Sequence, residues 1–163
     1  MIVDDVNAMQ MDEDSPKVRI PPPLVFLFSI FLGWGIQKVH PLPILSDSLR
    51  FSLFVLFLGS GMSLMAYCAI AFKRAKTNLL PWKTTNTIVT SGAYRFTRNP
   101  IYVAFVLIGL GIACVANNPW MAATLVLFVW IVQQTAILKE ERYLEQKFGR
   151  EYLDYKSRVR RWV

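Results

Sequence analysis

The sequence has very few of the residues that build metal centres and hydrolytic triads. It contains one histidine, His40, and two cysteines, Cys68 and Cys114, in 163 residues. A lone histidine excludes both a His-cluster metal site and a Ser-His-Asp triad. Because both cysteines lie inside apolar runs without metal-ligand spacing, we interpret them as packing residues and predict no metal site.

Acidic residues are missing from residues 73–100, which nevertheless carry six lysines and arginines. The net charge of the whole chain is +7. In a soluble protein, such a basic segment would suggest nucleic acid as a partner. Here the segment lies between long apolar runs, so we predict membrane lipids or an anionic small ligand as partners, and no nucleic acid.

Apolar residues, in contrast, are abundant and make up 54% of the chain. They form four runs, which cover residues 24–39, 49–72, 101–116 and 120–138. Runs of this length and composition are typical of transmembrane helices. A short turn at Asn117-Asn118-Pro119 joins the last two runs into a helical hairpin. The sequence therefore predicts an all-α, multi-pass membrane protein with about four transmembrane helices.

Polar segments are expected at both ends of this apolar part. Residues 1–19 are rich in acidic residues and predict a mobile cytosolic tail. Near the C-terminus, apolar residues recur at steps of three and four, which predicts a cytosolic or interfacial helix with a kink at Gly149. The members of that apolar face are Leu144, Phe148, Tyr152, Tyr155 and Val159.

Three parts of the chain follow from this pattern. Residues 1–23 form a polar tail, residues 24–72 two N-terminal transmembrane helices, and residues 73–163 a basic loop, a hairpin and a C-terminal helix. Lysine and arginine concentrate before residue 24, in residues 73–98 and in the C-terminal segment, with two helices between successive basic segments. By the positive-inside rule, both termini and the polar site are predicted to face the cytosol.

Three polar clusters are expected to meet at that cytosolic face: residues 86–94, residues 98–102 and the pair Glu140-Glu141. The hairpin brings the second and third clusters together, because antiparallel neighbours joined by a short turn share their ends. A helix that begins at Pro100 offers free backbone N–H groups to a carboxylate, and a glutamate can hold an ammonium group. A ligand with an amino-acid moiety would fit this arrangement.

Each cluster also has a purely structural interpretation. Arg98 can be an ordinary positive-inside residue, the two glutamates can be solvated, and Tyr94 and Tyr102 can be interfacial aromatics. From the pattern alone, the sequence predicts a membrane protein with a polar cytosolic face.

The order of the clusters resembles the isoprenylcysteine carboxyl methyltransferase family, which is akin to the phospholipid methyltransferases. The matching stretches are VTSGAYRFTRNPIYVA at 89–104 and EERYLEQKFGREYLDYKSRVRRW at 140–162. The likeness covers about residues 77–163 and is strongest to the short bacterial members of the family.

This resemblance implies that the cofactor is S-adenosylmethionine. The cofactor-binding residues that it implies are Asn86, Thr87, Ile88, Val89, Tyr94, Asn99, Pro100, Ile101, Tyr102 and Glu140. For catalysis we expect Arg98 to hold an anionic end of the methyl acceptor. Glu141 or Tyr102 would help an amine or thiol acceptor to lose a proton.

Two departures from the eukaryotic prenylcysteine enzymes bear on the acceptor. Those enzymes have histidine at the position of Asn99, and at the position of Ala136 they have an arginine that is thought to meet the substrate carboxylate. We therefore expect a lipophilic small molecule, a lipid or a lipidated substrate, not restricted to prenylcysteine. Two alternatives are a membrane reductase that uses NADPH and a non-catalytic membrane protein that keeps the fold.

Overall fold

The computed structural model describes residues 13–78 and 83–163. Over these two ranges the chain is helical, and its single strand-like feature is an isolated parallel bridge between Thr97 and Arg160. The helices are α1 (Pro22–Val39), α2 (Asp47–Arg74), α3 (Pro100–Val115), α4 (Pro119–Val132), α5 (Leu138–Phe148) and α6 (Arg150–Arg158). A 3₁₀ turn at Gly92–Arg95 precedes α3, and a π-helical turn at Gln133–Ile137 joins α4 to α5.

Proline and glycine explain where these helices begin and end. Helices α1, α3 and α4 each begin with a proline, whose fixed φ and missing N–H suit the first helical turn. The side chain of Asn118 caps α4 by accepting a hydrogen bond from the Met121 backbone N–H at 3.1 Å. Gly149, with a φ of 51°, separates α5 from α6, so the predicted kink is confirmed.

Three helical segments are long and apolar enough to cross a membrane, namely Pro22–Val39, Asp47–Arg74 and Pro119–Phe148. The apolar helix α3 has 16 residues and is shorter than these. Large apolar side chains such as Phe31, Phe51, Val126 and Trp130 lie on the outer surface and are more than half exposed. These features are those of a membrane protein, while the count of four spans stays a prediction.

The hairpin formed by α3 and α4 lies at the centre, and each of its helices packs against one of the two N-terminal helices. Helix α2 lies mainly against α3, and α1 lies mainly against α4. In the centre, the rings of Phe26, Phe105 and Phe128 contact one another with centroids 5.2 to 5.9 Å apart. Small residues allow the close approach of backbones that is common between membrane helices, as where Gly61 of α2 meets Ile108 of α3.

Gly33 and Gly35 of α1 offer a matched test of this packing. A Cβ atom on Gly33 would lie 2.5 Å from Met121 Cα of α4, whereas a Cβ on Gly35 would meet nothing within 4 Å. We expect Gly33→Ala to destabilise the protein by about 1–3 kcal/mol, because backbone atoms cannot give way. Gly35→Ala should leave stability unchanged or raise it by up to about 1 kcal/mol, because alanine favours a helix interior more than glycine does. Thermal unfolding in detergent measures both, and equal unfolding temperatures would contradict this packing.

The bundle has two distinct ends. At one end, the side chain of Asn117 accepts hydrogen bonds from the backbones of Ile44 and Leu45 at 3.0 Å, and Trp120 donates to the His40 carbonyl at 2.8 Å. The opposite end gathers residues 13–21, the segment before α3, and helices α5 and α6. The three polar parts of the chain thus meet at one end, as the even number of helices between them predicts.

The prediction of a mobile tail over residues 1–19 is wrong for residues 13–19, while residues 1–12 lie outside the described residues. Ser15 and Val18 are buried, and Val18 belongs to the apolar core. Asp14 forms an ion pair with Lys147 of α5. The acidic composition of residues 1–19 gives no sign that Val18 packs into the core. We call this segment the N-terminal strap (residues 13–21).

Candidate active site

A cavity of about 240 Å³ lies at the polar end of the bundle. Its walls come from the N-terminal strap, from α1, α2 and α3, from the segment before α3, and from α5 and α6. The volume is slightly below the range of about 300–1,000 Å³ that is typical of ligand pockets. A ligand of nucleoside size would therefore move some of these walls outward.

Most of the residues predicted to bind a cofactor line this cavity. They are Thr87, Ile88, Val89, Tyr94, Asn99, Ile101, Tyr102 and Glu140. Of the three residues predicted to take part in catalysis, Arg98 and Tyr102 line it as well. The geometry thus brings together residues that are up to 53 positions apart, from Thr87 to Glu140.

Asn86 and Pro100 are not among the lining residues. Asn86 fastens the loop to the end of α2, since its backbone N–H donates to Thr77 Oγ1 at 2.9 Å and its side chain donates to the Lys76 carbonyl at 3.2 Å. Pro100 is fully buried at the first turn of α3. Asn86 thus anchors the loop, and Pro100 begins α3, without lining the cavity.

Glu140 faces the cavity and is oriented by Tyr102. The Tyr102 hydroxyl donates a hydrogen bond to Glu140 Oε1 at 2.7 Å. The hydrogen bond links the first turn of α3 to the first turn of α5, where the π-helical turn has redirected the chain. Because the tyrosine uses one oxygen, the rest of the carboxylate can accept from a bound ammonium group.

Glu141, in contrast, points away from the cavity into a cluster of cations. Arg161 makes two hydrogen bonds to it, Nε to Oε1 at 2.8 Å and Nη2 to Oε2 at 2.9 Å. Arg98 Nη1 lies 3.0 Å from Oε1, and Lys156 Nζ lies 3.8 Å from Oε2. A carboxylate held by three cations is a weak proton acceptor. The geometry therefore favours a role for Glu141 in holding these cations in place over its predicted role as a base.

Asn99 and Thr97 fasten the C-terminal tail to the start of α3. Asn99 Nδ2 and Thr97 Oγ1 donate to the Arg161 carbonyl at 2.9 and 3.0 Å. The Arg98 backbone N–H donates to the Arg160 carbonyl at 2.9 Å, and the Trp162 ring N–H donates to Gln133 Oε1 at 2.9 Å. The Asn99 amide therefore holds the tail next to the cavity.

A wall of tyrosines lies beside these charged groups. Tyr94 is buried against Phe72, and the Tyr155 hydroxyl donates to the Tyr94 carbonyl at 2.7 Å. Burial, with the charge of Glu141 as a further cause, raises the pKa of Tyr152 to about 12. Burial also raises the pKa of Tyr94 and of Tyr155 above the ordinary value. All three phenols are therefore neutral near pH 7.

The loop and the N-terminal strap meet at Tyr143 of α5. Its hydroxyl accepts a hydrogen bond from the Thr85 backbone N–H at 3.2 Å and donates one to the Asp14 carbonyl at 3.1 Å. Lys147 Nζ contacts the same hydroxyl at 2.9 Å. Pro16, on the strap, lines the cavity. The loop and the N-terminal strap, which both line the cavity, are thus linked by hydrogen bonds to the same hydroxyl group of Tyr143.

Sequence reasoning missed several residues of the site. Tyr152 and Tyr155 were assigned only to an apolar helical face, and Tyr143, Arg161 and Pro16 were given no role. The tyrosine spacing in FGREYLDY and the pair Arg160-Arg161 after Val159 are the available signals. No sequence signal marks the strap as a wall of the cavity.

A sequence profile described as phospholipid methyltransferase matches residues 49–151 of the chain, which is more than half of its length. The chain therefore belongs to the phospholipid methyltransferase family. The match includes α2, the loop, α3, α4 and α5, and so most of the walls of the cavity.

Curated relatives give a finer comparison. Protein-S-isoprenylcysteine O-methyltransferase B of Arabidopsis thaliana is 38% identical over 72 residues, which are 44% of this chain and 36% of the relative. Protein-S-isoprenylcysteine O-methyltransferase of Mus musculus is 40% identical over 75 residues, 46% of this chain and 26% of the relative. The resemblance read from the motifs is confirmed, although the chain matches only about a third or a quarter of the length of these two enzymes.

An uncharacterized protein of Haemophilus influenzae is 38% identical over 63 residues, which are 39% of this chain and 100% of that relative. No solved structure matches this chain.

Proposed function

We propose that the protein is a membrane methyltransferase that uses S-adenosylmethionine and transfers the methyl group to a lipophilic acceptor. The observation that carries this proposal is the combination of groups in one cavity. A buried cation, Arg98, and an oriented carboxylate, Glu140, lie with the apolar side chains of Ile88 and Val89. This combination of a cation, a carboxylate and apolar side chains suits a ligand that has an amino-acid moiety and a flat ring.

The bound cofactor would supply an already activated methyl group on a sulfonium ion. The protein then needs mainly to align the acceptor with that group and to exclude water. Tyr102 holds Glu140 in place for a cationic group, and the buried tyrosines close the cavity on the side of α6. If the acceptor is an amine or a thiol, the Glu140 carboxylate, held by the Tyr102 hydroxyl, is the group available to receive its proton.

The acceptor would reach the cavity from the bilayer. Three apolar residues that line the cavity are Met65 of α2, Phe105 of α3 and Pro23 of α1. Helix α1 packs mainly on α4, and α2 packs mainly on α3, so α1 and α2 share no extensive contact over their described residues. A lipid chain that lies between these two helices would place its polar end next to Arg98 and Glu140.

Calorimetry with purified protein in detergent tests the cofactor. S-adenosylmethionine and NADPH are offered side by side to the same preparation. We expect saturable binding of S-adenosylmethionine and of its product S-adenosylhomocysteine, and no binding of NADPH. Binding of NADPH alone would reject the methyltransferase assignment in favour of a reductase.

The cavity end of the bundle is proposed to face the cytosol. Reporter cysteines at the exposed positions Ser46, between α1 and α2, and Ser157, in α6, mark the two ends. In intact cells, an impermeant maleimide is expected to label Ser46→Cys, and to label Ser157→Cys only after permeabilisation. Labelling of Ser157→Cys in intact cells would contradict this orientation and the reading of the basic segments as positive-inside.

A further inference from the structure

The N-terminal strap separates the cavity from a second space on the surface of the protein. This second space is a groove of about 400 Å³ between the strap and α5. Pro16 and Tyr143 line both the cavity and the groove, so these two residues stand between them. The groove is otherwise polar, and its charged residues are Glu13, Asp14, Lys17, Lys139 and Arg142. Such a lining suits the passage of a water-soluble ligand.

The strap is fastened to α5 by contacts that lie near the surface. The Tyr143 hydroxyl donates to the Asp14 carbonyl at 3.1 Å, and Lys147 forms an ion pair with the Asp14 carboxylate. The side chain of Asp14 is 59% exposed and that of Lys147 is 24% exposed. Ion pairs in contact with solvent contribute little to stability. Contacts of this kind can break and form again while the rest of the fold stays intact.

Lys17 has a backbone conformation that suits a hinge. Its φ of 54° is uncommon for a residue other than glycine. The residues on either side of it, Pro16 and Val18, are buried, and Val18 belongs to the apolar core. Strained backbone often occurs in segments that switch between two positions. If residues 13–16 lift away from α5, Lys17 can return to an ordinary conformation while Val18 stays packed.

The sizes of the two spaces favour such a movement. The cavity, of about 240 Å³, is smaller than typical ligand pockets of about 300–1,000 Å³. Joined to the groove of about 400 Å³, it falls within that range. A movement of residues 13–16 removes Pro16 from between the two spaces. It therefore supplies both an opening and additional room for a ligand of nucleoside size.

We propose that residues 13–16 are a gate of the cavity, that Lys17 is the hinge of this gate, and that the groove is the entrance for the water-soluble cofactor. The inference rests on the proposed function, since it takes this ligand to be S-adenosylmethionine. The lipophilic acceptor is proposed to arrive between α1 and α2, so the two reactants use separate routes. A gate at the polar end lets the protein exchange its cofactor without opening the cavity to lipid.

The variant Lys147→Gln tests the gate at its fastening. It removes the ion pair with Asp14, and Lys147 is not among the described residues that line the cavity or the groove. We expect labelled S-adenosylhomocysteine to bind to and dissociate from the full chain in detergent about 2- to 5-fold faster, as loss of an exposed ion pair allows. The affinity should stay unchanged, because both rates rise together.

Arg150→Gln is the matched control, because it removes the same charge at an exposed position of α6. This control should alter neither rate. Exchange in Lys147→Gln that is no faster than in Arg150→Gln would overturn the gate.

A covalent link between the strap and α5 tests the opposite change. In the double variant Asp14→Cys with Lys147→Cys, a short reducible bis-methanethiosulfonate holds the gate closed. We expect this link to stop the exchange of S-adenosylhomocysteine, and dithiothreitol to restore it. Asp14→Cys alone, treated with the same reagent, controls for labelling without a link and for the native Cys68 and Cys114. Undiminished exchange in the linked protein would show that the ligand uses another route.

Labelling of Ser15→Cys detects the movement without any ligand. Ser15 is 6% exposed, so a maleimide should react slowly with a cysteine there, and about 2- to 5-fold faster once Lys147→Gln is added. If the unmodified protein binds no S-adenosylhomocysteine, the proposed cofactor is rejected, and this labelling alone decides whether the gate moves. Equal labelling rates with and without Lys147→Gln would then reject the gate as well.

Discussion

Replacement of Glu140 by glutamine is expected to weaken binding of S-adenosylmethionine about 10- to 100-fold. Glu140 is the single carboxylate among the described residues that line the cavity, and Tyr102 holds it at 2.7 Å. The ligand carries two cationic groups, an ammonium and a sulfonium. Loss of a charge-assisted hydrogen bond in a partly dry site costs about 1.5–3 kcal/mol, which corresponds to that change in affinity. Calorimetry in detergent measures it directly.

Two further variants show whether the effect belongs to the pair of residues. Tyr102→Phe removes only the hydroxyl that orients Glu140, so its effect should be smaller than that of Glu140→Gln. The double variant should be no weaker than Glu140→Gln alone, because the tyrosine acts through the carboxylate. Glu151→Gln, an exposed change in α6, is the control for loss of one negative charge. Equal affinity in Glu140→Gln and in this control would reject the cavity as the cofactor site.

The helices and the hairpin could be predicted from the sequence because local chemistry decides them. The third apolar run was predicted at 101–116 and forms α3 at Pro100–Val115. The prolines at positions 100 and 119 and the capping Asn118 mark these boundaries in the sequence itself. The hairpin then brings Glu140 to Tyr102, since both lie at the same end of antiparallel helices.

The contacts that shape the cavity join distant parts of the chain, so few local sequence patterns indicate them. The N-terminal strap reaches α5 across 129 positions, through the hydrogen bond between Tyr143 and Asp14. Arg98 looks like an ordinary positive-inside residue in the sequence, and only the fold reveals that it is buried beside Glu141. The π-helical turn, which sets the direction of α5, likewise has no distinctive residue pattern in QQTAI.

The polarity of the cavity leads to an expectation about the methyl acceptor. Apart from Arg98 and Glu140, the lining includes Met65, Phe72 and Phe105, which suit a hydrocarbon chain. Ala136, for which the resemblance implies an arginine in the eukaryotic enzymes, is fully buried in the apolar core and adds no charge. The acceptor is therefore expected to be lipophilic, and not to depend on a carboxylate recognised at that position.

Methyl transfer from labelled S-adenosylmethionine provides the measurement. The purified protein is incubated with total membrane lipid, with a farnesylcysteine analogue, and with soluble thiols and amines in separate reactions. We expect the label in the organic phase of the reaction with membrane lipid, and background levels with the soluble thiols and amines. Glu140→Gln, assayed at a cofactor concentration that just saturates the unmodified protein, is the matched negative control, since it should bind the cofactor more weakly while the apolar part of the cavity is unchanged. Label confined to water-soluble products would reject a lipophilic acceptor, and methylation of the farnesylcysteine analogue alone would show that the alanine at position 136 does not alter the acceptor.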